Sequence, residues 1–392
     1  MKPESPVLTG DSVAPADRIR SLIAILTSAG IAGLTFGLSI PLVSLVLESR
    51  GVPATWIGFN QAAAALAILA VSPFVPTVLQ RFGVLGAMYV AVAGIVVIFL
   101  IMPLWIDPWF WVLLRFLMGA CVAIHWITSE TWILTIARKE SRGRTVAIYT
   151  TILAGGFACG PLLIRFIGIE GTTPFVVCAA LLTVSAVPLI LAYGRTPKFP
   201  PHTGLPLRRM FQIAPLVLLA AVLAGFTDMS LLALLPVYGI RMGLDQGAAV
   251  IMLTIMLLGN LALQWPLGWL ADHWDRRRLL LLCAALFVVG PVLMPVVIHT
   301  SVWLWTLLVL WGAASLGVYT LGLTLLGERF TGGDLARANA AFVAFYEIGS
   351  LTGPPLGGVG MDLLGPNGLM WVLAIASGAY VVLARLRRHQ WK

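Results

Sequence analysis

The sequence predicts an all-α membrane protein, with twelve transmembrane helices in two six-helix halves related by a pseudo-two-fold. Three observations carry this. Hydrophobic residues make up 59% of the 392 positions and charged residues only 10%, against about 25% charged in a soluble domain. Apolar runs of spanning length recur along the chain, and the basic residues fall on alternate connections between them. So few charges cannot cover a water-soluble surface of this size, which excludes disordered, disulfide-framed and ordinary soluble enzyme classes. The 14 Trp suit a membrane interface.

The first 17 residues are polar and lack the short apolar core of a cleavable signal peptide. Residues 1–19 therefore read as a cytoplasmic tail. A spanning helix needs about 20 apolar residues. Such runs lie near 20–48, 54–79, 84–103, 108–137, 143–168 and 172–194, and again near 210–240, 246–271, 277–299, 302–328, 336–363 and 367–386. They are continuously apolar rather than alternating in short segments, which argues against transmembrane strands. Between the two sets, 195–209 holds Pro197, Pro200, Pro201 and Pro206 with four basic residues. A charged, Pro-rich stretch cannot span and reads as a cytoplasmic linker. The halves are then 20–194 and 210–386, with 387–392 a cytoplasmic tail. The four cysteines, Cys121, Cys159, Cys178 and Cys283, lie inside apolar runs, so neither a disulfide framework nor a metal cluster is expected.

Basic residues fix the expected orientation. With the N-terminus in the cytoplasm, 21 of the 25 Lys and Arg fall on cytoplasmic segments, leaving Arg50, Arg115, Arg165 and Arg241 elsewhere. The positive-inside rule then puts both termini inside. It also explains the formal charge of +9 as a topology signal with anionic-lipid contact secondary, so a nucleic-acid partner is not expected.

The halves resemble each other. A shift of 193 superposes Gly119 on Gly312, Arg144 on Arg337, and Gly160-Pro161 on Gly353-Pro354 without a gap. Parallel repeats of this kind occur in transporters whose halves rock about a midplane site.

Between spans eight and nine, Gly268 to Arg278 reads G-W-L-A-D-H-W-D-R-R-R. Gly268 lets helices approach closely, and Asp272 ends a helix where it can pair with an Arg or face a helix N-terminus. The run resembles the loop signature of the major facilitator superfamily, G-x-L-A-D-x-x-G-R-R, with Asp275 in place of the second Gly. The equivalent loop after span two keeps Arg81 and Gly83 but has Pro76 and Gln80 for the first Gly and the Asp. Two more matches follow. Arg115 to Gly119 resembles the R-x-x-x-G motif of the superfamily, whose Arg is associated with proton coupling. Gly155 to Pro161 resembles its antiporter motif, and the copy at Gly353, Pro354, Gly357 and Gly358 is fuller. Ser129, Glu130 and Trp132 followed by Arg142-Gly143-Arg144, with Gly349 to Gly358 and Asp362 to Gly368, resemble the YcaD-type branch, largely without assigned substrates. The resemblance covers the whole chain. It implies a multi-pass transporter of the bacterial cytoplasmic (inner) membrane, functioning as a monomer without a cofactor.

Charges inside the bilayer cost several kcal/mol on most estimates and mark functional candidates. Arg115 sits ~12 Å below the outer end of span four at 1.5 Å per residue. It either positions an acid or an anionic solute, or ties span four to backbone carbonyls. Asp228, in the apolar run of span seven, is expected in its outer half at about the depth of Arg115, with the two facing across the halves as the resemblance implies. An acid alternately paired and unpaired during rocking is a usable proton carrier; the alternative is a hydrogen bond to Thr227 or Ser230. Glu347, beside Tyr346 near the midplane of span eleven, is a coupling or solute residue or packs while protonated. Glu130 reads as a gate pairing with loop arginines such as Arg144. His125 titrates near neutral pH when unperturbed and is otherwise a helix-contact residue. Polar and aromatic groups at membrane depth (Asn60, Gln61, His125, Trp126, Trp132, Asn260, Gln264, Tyr319 and Tyr346) offer a binding surface, and aromatic walls suit apolar or cationic ligands. Arg81, Gly268, Asp272, Arg276, Gly160, Pro161, Gly353 and Pro354 make up the expected gating set.

The expected function is a secondary transporter of a small solute, coupled to protons and leaning to export of amphipathic compounds as an antiporter. Proton-driven uptake of a metabolite is the alternative. No G-x-x-x-x-G-K-[ST] loop occurs, so ATP is not the driver within this chain. No Gly-x-Ser-x-Gly or His-Glu-x-x-His occurs either, and an enzyme is not expected. A non-transporting receptor or an intramembrane enzyme is a distant alternative.

Overall fold

Helices begin where the sequence supplies an N-cap or a proline. The computed structural model describes residues 15–138, 142–192, 214–330 and 332–387. The linker 195–209, most of the two expected tails and the side chains of Arg142 and Arg337 lie outside the described residues. Helix α1 runs Pro15–Ser49, α2 Ala54–Val71, α3 Val75–Ile101, α4 Pro108–Ile136, α5 Arg142–Ile167 and α6 Thr173–Ala186. Then come α7 Pro215–Arg241, α8 Gln246–Ala262, α9 Gln264–His273, α10 Arg276–Val297, α11 Ser301–Arg329, α12 Gly332–Leu364 and α13 Gly368–Leu386. Short 3-10 turns follow α2, α3 and α6. Among the described residues no strand occurs.

Three caps are aspartates. Asp107 accepts from the backbone N–H of Phe110 at 2.8 Å ahead of α4, with Pro108 as the first helical residue. Asp245 accepts from Ala248 at 3.0 Å ahead of α8. Asp275, which replaces a signature glycine, accepts from Arg278 at 2.8 Å ahead of α10. Each satisfies a helix N–H that has no partner inside the helix.

Among the described residues, nine stretches are long and apolar enough to cross a membrane as single helices. One of them, Ala54–Leu104, is 51 residues long and holds two spans. It breaks at Gly83, whose φ of 71° and ψ of 167° lie outside the helical region and in a region that favours glycine. Helices α8 and α9 meet at a bend of 40° and together make span eight. The cause is Pro266, which has no N–H for the ladder and crowds the carbonyl of Ala262, the last residue of α8. Helix α12, 33 residues long, covers the run expected for span eleven. The described helices thus accommodate the twelve expected spans.

By packing, the described residues form two units. One contains α1 up to Ser39, the stretch Ala67–Leu163 and the chain from Glu170 through α6; the other contains Ile40–Leu66, Ile164–Ile169 and α7 to α13. In the first, Ile25, Met88, Trp132, Ile133 and Leu189 close a buried core. There a Cβ on Gly160 of α5 would collide with the backbone of Gly37 and Leu38 on α1. In the second, a Cβ on Gly353 of α12 would collide with the backbone of Phe226 and the hydroxyl of Ser230 on α7. Positions 193 apart in the chain thus make the same kind of backbone-on-backbone contact. Gly268 does not behave this way. A Cβ there would meet nothing within 4 Å, so the close approach expected of it is not made in this conformation.

These two glycines give opposite expectations for stability. Gly353→Ala should cost about 1–3 kcal/mol, the range for overpacking. Gly268→Ala should be neutral or gain up to about 1 kcal/mol from helix propensity. Thermal melts of the purified variants check this, and equal melting of the two would show that the α7–α12 contact is not tight.

Candidate functional site

The second unit assembles a hydroxyl-lined acid. Helix α7 carries Asp228 thirteen residues from each of its ends, at the middle rather than in the outer half. Its Oδ1 accepts a short hydrogen bond from Ser315 Oγ on α11. Its Oδ2 accepts from Tyr346 Oη on α12 at 3.4 Å. Neither Thr227 nor Ser230 partners it: Ser230 donates to Phe226 O at 2.6 Å, and the Thr227 hydroxyl finds no partner among the described residues. The Tyr346 ring meets Tyr319 edge-on at 5.5 Å and 88°, and Tyr319 in turn meets Phe342 at 5.2 Å. Glu347 is the next residue on α12. Among the described residues, no basic side chain lies within salt-bridge distance of Asp228 or Glu347.

The backbone explains why these groups meet. Gly225, three residues before Asp228, lets α7 close on the carbonyl of Tyr346, and Gly349 lets α12 close on Val222 and Phe226. Gln61, from the part of α2 in this unit, donates to Met229 Sδ at 3.6 Å. Neighbouring Asn60 is buried, and its side-chain nitrogen has no partner among the described residues. Asn260 is half-buried, with its backbone against Gly312, and Gln264 is exposed at the start of α9.

The first unit holds a second polar group. Arg115 is buried on α4, seven residues from its start, and its Nη1 points at Met118 Sδ at 3.3 Å. Arg115 and Asp228 belong to different packing units, and each makes these contacts within its own. Nearly three turns further along α4 than Arg115, the buried His125 meets Phe36 edge-on at 6.4 Å, and its Nε2 has no partner among the described residues. Trp126 donates from Nε1 to Glu130 at 2.9 Å and lies against Phe157 at 6.3 Å. The Trp126 bond occupies the carboxylate that the sequence reading offered to a loop arginine. His125, Ser129 and Tyr149 line a cavity of ≈ 10 Å³, about the space of one water.

On the gating set, Arg276 reaches Asp272 at 3.6 Å, Glu328 of α11, and the carbonyl of Ala271 at 3.1 Å. Arg81 is exposed and stacks over Phe82 at 5.7 Å. Pro161 and Pro354 sit inside α5 and α12.

Sequence reasoning missed Ser315. A serine inside the run Ala313-Ala314-Ser315 of a mid-membrane helix was the available signal, since an isolated hydroxyl at the depth of an acid is a ready donor. It also missed Glu48 and Thr55, whose partners are more than a hundred residues away in sequence.

Comparisons with known proteins agree with this architecture. The sequence model of the Major Facilitator Superfamily matches residues 25–257 and 217–390. A relative in Bacillus subtilis (strain 168), described as an uncharacterized MFS-type transporter YfkF, is 26% identical over 374 residues, covering 92% of this chain and 94% of that protein. The uncharacterized MFS-type transporter YcaD of Escherichia fergusonii is 25% identical over 366 residues, covering 92% and 95%. Among solved structures, a D-xylose-proton symporter superposes with a TM-score of 0.75 at 16% identity, covering 94% of this chain and 97% of that one.

The Ser315 hydroxyl should matter for stability independently of any solute. Ser315→Ala leaves a buried carboxyl group short of one donor, for which about 1–3 kcal/mol is the usual cost. A thermal melt of the solute-free protein measures it. No loss would mean that Ser315 does not hold Asp228.

Proposed function

The chain belongs to the major facilitator superfamily, and from that premise we propose a proton-coupled secondary transporter that exports a small amphipathic solute by alternating access. The observation that carries the proton-coupled reading is Asp228, a mid-helix acid whose described polar partners are the hydroxyls of Ser315 and Tyr346. A hydroxyl can donate to a carboxylate and can also accept from a carboxylic acid. The same pocket therefore serves both protonation states, as a carrier that loads and releases a proton requires. Glu347, Arg115 and Glu130 are the remaining intramembrane charges on which coupling would depend. Their number is small because each is costly in lipid.

Two features support export of an amphipathic solute. The Gly-Pro elements at Gly160-Pro161 and Gly353-Pro354 resemble the antiporter motif of the superfamily. Aromatic rings, Trp126 in one unit and Tyr319 with Tyr346 in the other, stand beside acids, an arrangement suited to apolar or cationic surfaces. His125, Asn60, Gln61, Asn260 and Gln264 complete the proposed solute-contacting set. A second reading, proton-driven uptake of a small metabolite, is favoured by the fold likeness to a D-xylose-proton symporter. In either direction the protein works as a monomer in the bacterial inner membrane with both termini in the cytoplasm.

Purified protein in liposomes loaded with a pH-sensitive dye tests the reading. A transported solute should move protons in the wild type, outward solute movement being matched by inward proton movement for export. Asp228→Asn should still carry solute down its own gradient while losing its dependence on the proton gradient. Unchanged coupling in that variant would sink the assignment of Asp228.

A further inference from the structure

A cluster of charges unrelated to Asp228 gathers at the ends of α1, α7 and α12. The Arg241 guanidinium, in the last turn of α7, grips Glu48 of α1 with two parallel bonds, Nε to Oε1 at 2.7 Å and Nη2 to Oε2 at 2.8 Å. Its third nitrogen, Nη1, donates to Asp362 Oδ1 of α12 at 3.3 Å. Asp362 in turn accepts from the backbone N–H groups of Ala54 and Thr55 at 3.0 and 2.8 Å and from the Thr55 hydroxyl at 2.7 Å. A carboxylate from α12 therefore caps the first turn of α2, where no local residue does so.

Each contact is favourable for a separate reason. A cation suits the C-terminal end of α7 and an anion suits the N-terminal end of α2. Two parallel bonds between Arg and a carboxylate are stronger and more directional than a single ionic contact. The side chains are only 15–25% exposed, so screening is weaker than for the exposed pairs that contribute little. Close backbone packing extends the join: a Cβ on Gly358 would collide with Ala54, and one on Gly58 with Pro354.

Residues 40–66 thus pack with α7 to α13 in one unit, although they belong by sequence to the first repeat. The connections concerned follow spans one, seven and eleven, which the distribution of basic residues assigns to the outer face.

We infer that Glu48, Thr55, Arg241 and Asp362 form an outer latch, which holds the first two spans to the second half and must break before the protein opens outward. The inference rests on alternating access and not on proton coupling, and its test reads conformation without transport, so either can fail alone. In a background lacking the four native cysteines, spin labels on Arg50→Cys and Gln246→Cys report the separation of the α1–α2 and α7–α8 connections. The wild type should give one predominant short distance. Arg241→Met should raise the ratio of long to short distances at least about fivefold, the equilibrium change for about 1 kcal/mol. Asp362→Asn, a milder change that leaves the Arg241–Glu48 bonds intact, should shift it the same way by less. Glu170→Gln, which removes an exposed charge on the connection between α5 and α6, should leave the wild-type distribution. Wild-type distances in both Arg241→Met and Asp362→Asn would overturn the latch. An equal shift in Glu170→Gln would overturn it too, by showing a general charge effect.

Discussion

Direct backbone contact between paired helices is the constraint on which the rest of this structure depends. In lipid, apolar side chains gain little by moving from acyl chains to a neighbouring helix, so association relies on close packing and on polar contacts. Glycine permits that closeness. Gly156 and Gly160 bring α5 onto α1, and Gly349 and Gly353 bring α12 onto α7. The two pairs are related by the 193-residue repeat, so one solution to the packing problem is used twice.

That packing determines where the polar groups stand. Because Gly225 and Gly349 let α7 and α12 touch backbone to backbone, the phenol of Tyr346 can reach Asp228 across the joint. Helix α11 adds Ser315 from the other side. The acid is therefore held by three helices. In the first unit the same contact between α1 and α5 sets Phe36 against His125 and Phe157. There the imidazole stands against rings, with Ser129 and Tyr149 across a small cavity rather than bonded to it, and one oxygen of Glu130 accepts from an indole N–H of its own helix. The repeat is equal in its packing and unequal in its chemistry.

What the sequence made legible follows the range of each interaction. Spans are local, and the break at Gly83 falls between two expected runs, whereas the bend at Pro266 lies inside the single run 246–271 and was not anticipated. The repeat is also legible, because Gly-Pro pairs and an arginine recur at a fixed shift. Asp228 stood out because a charge in an apolar run is rare. Its partners did not, since a serine within an apolar helix carries no signal of which neighbour it faces. The pairing of Glu48 and Asp362 with Arg241 was illegible for a related reason. Each lies at a helix end, where charge is ordinary, and only the fold brings residues 193 and 121 positions from Arg241 onto its guanidinium. Gly268 failed in the opposite way: the motif was plain, but the close contact it permits is absent in this conformation.

The choice of partners for the two kinds of acid has a physical logic. At the helix ends, Glu48 is held by a guanidinium, and Asp362 by that guanidinium, two backbone N–H groups and the Thr55 hydroxyl; the hydroxyl apart, these are donors only. Such partners stabilise the carboxylate and offer nothing to a protonated acid. They suit a contact that is either made or broken as a body. Asp228 is held by hydroxyls, each able to reverse the direction of its hydrogen bond by rotating one proton. On the proposed reading, mainly donor-only partners at the helix ends serve a contact that is made or broken, and reversible partners at mid-helix serve the loading of a proton at Asp228. A proton at Asp228 must still bias the conformational equilibrium, and it can do so through the hydrogen bonds that join α7, α11 and α12 at mid-helix, while the contacts at the helix ends set the state against which that bias works.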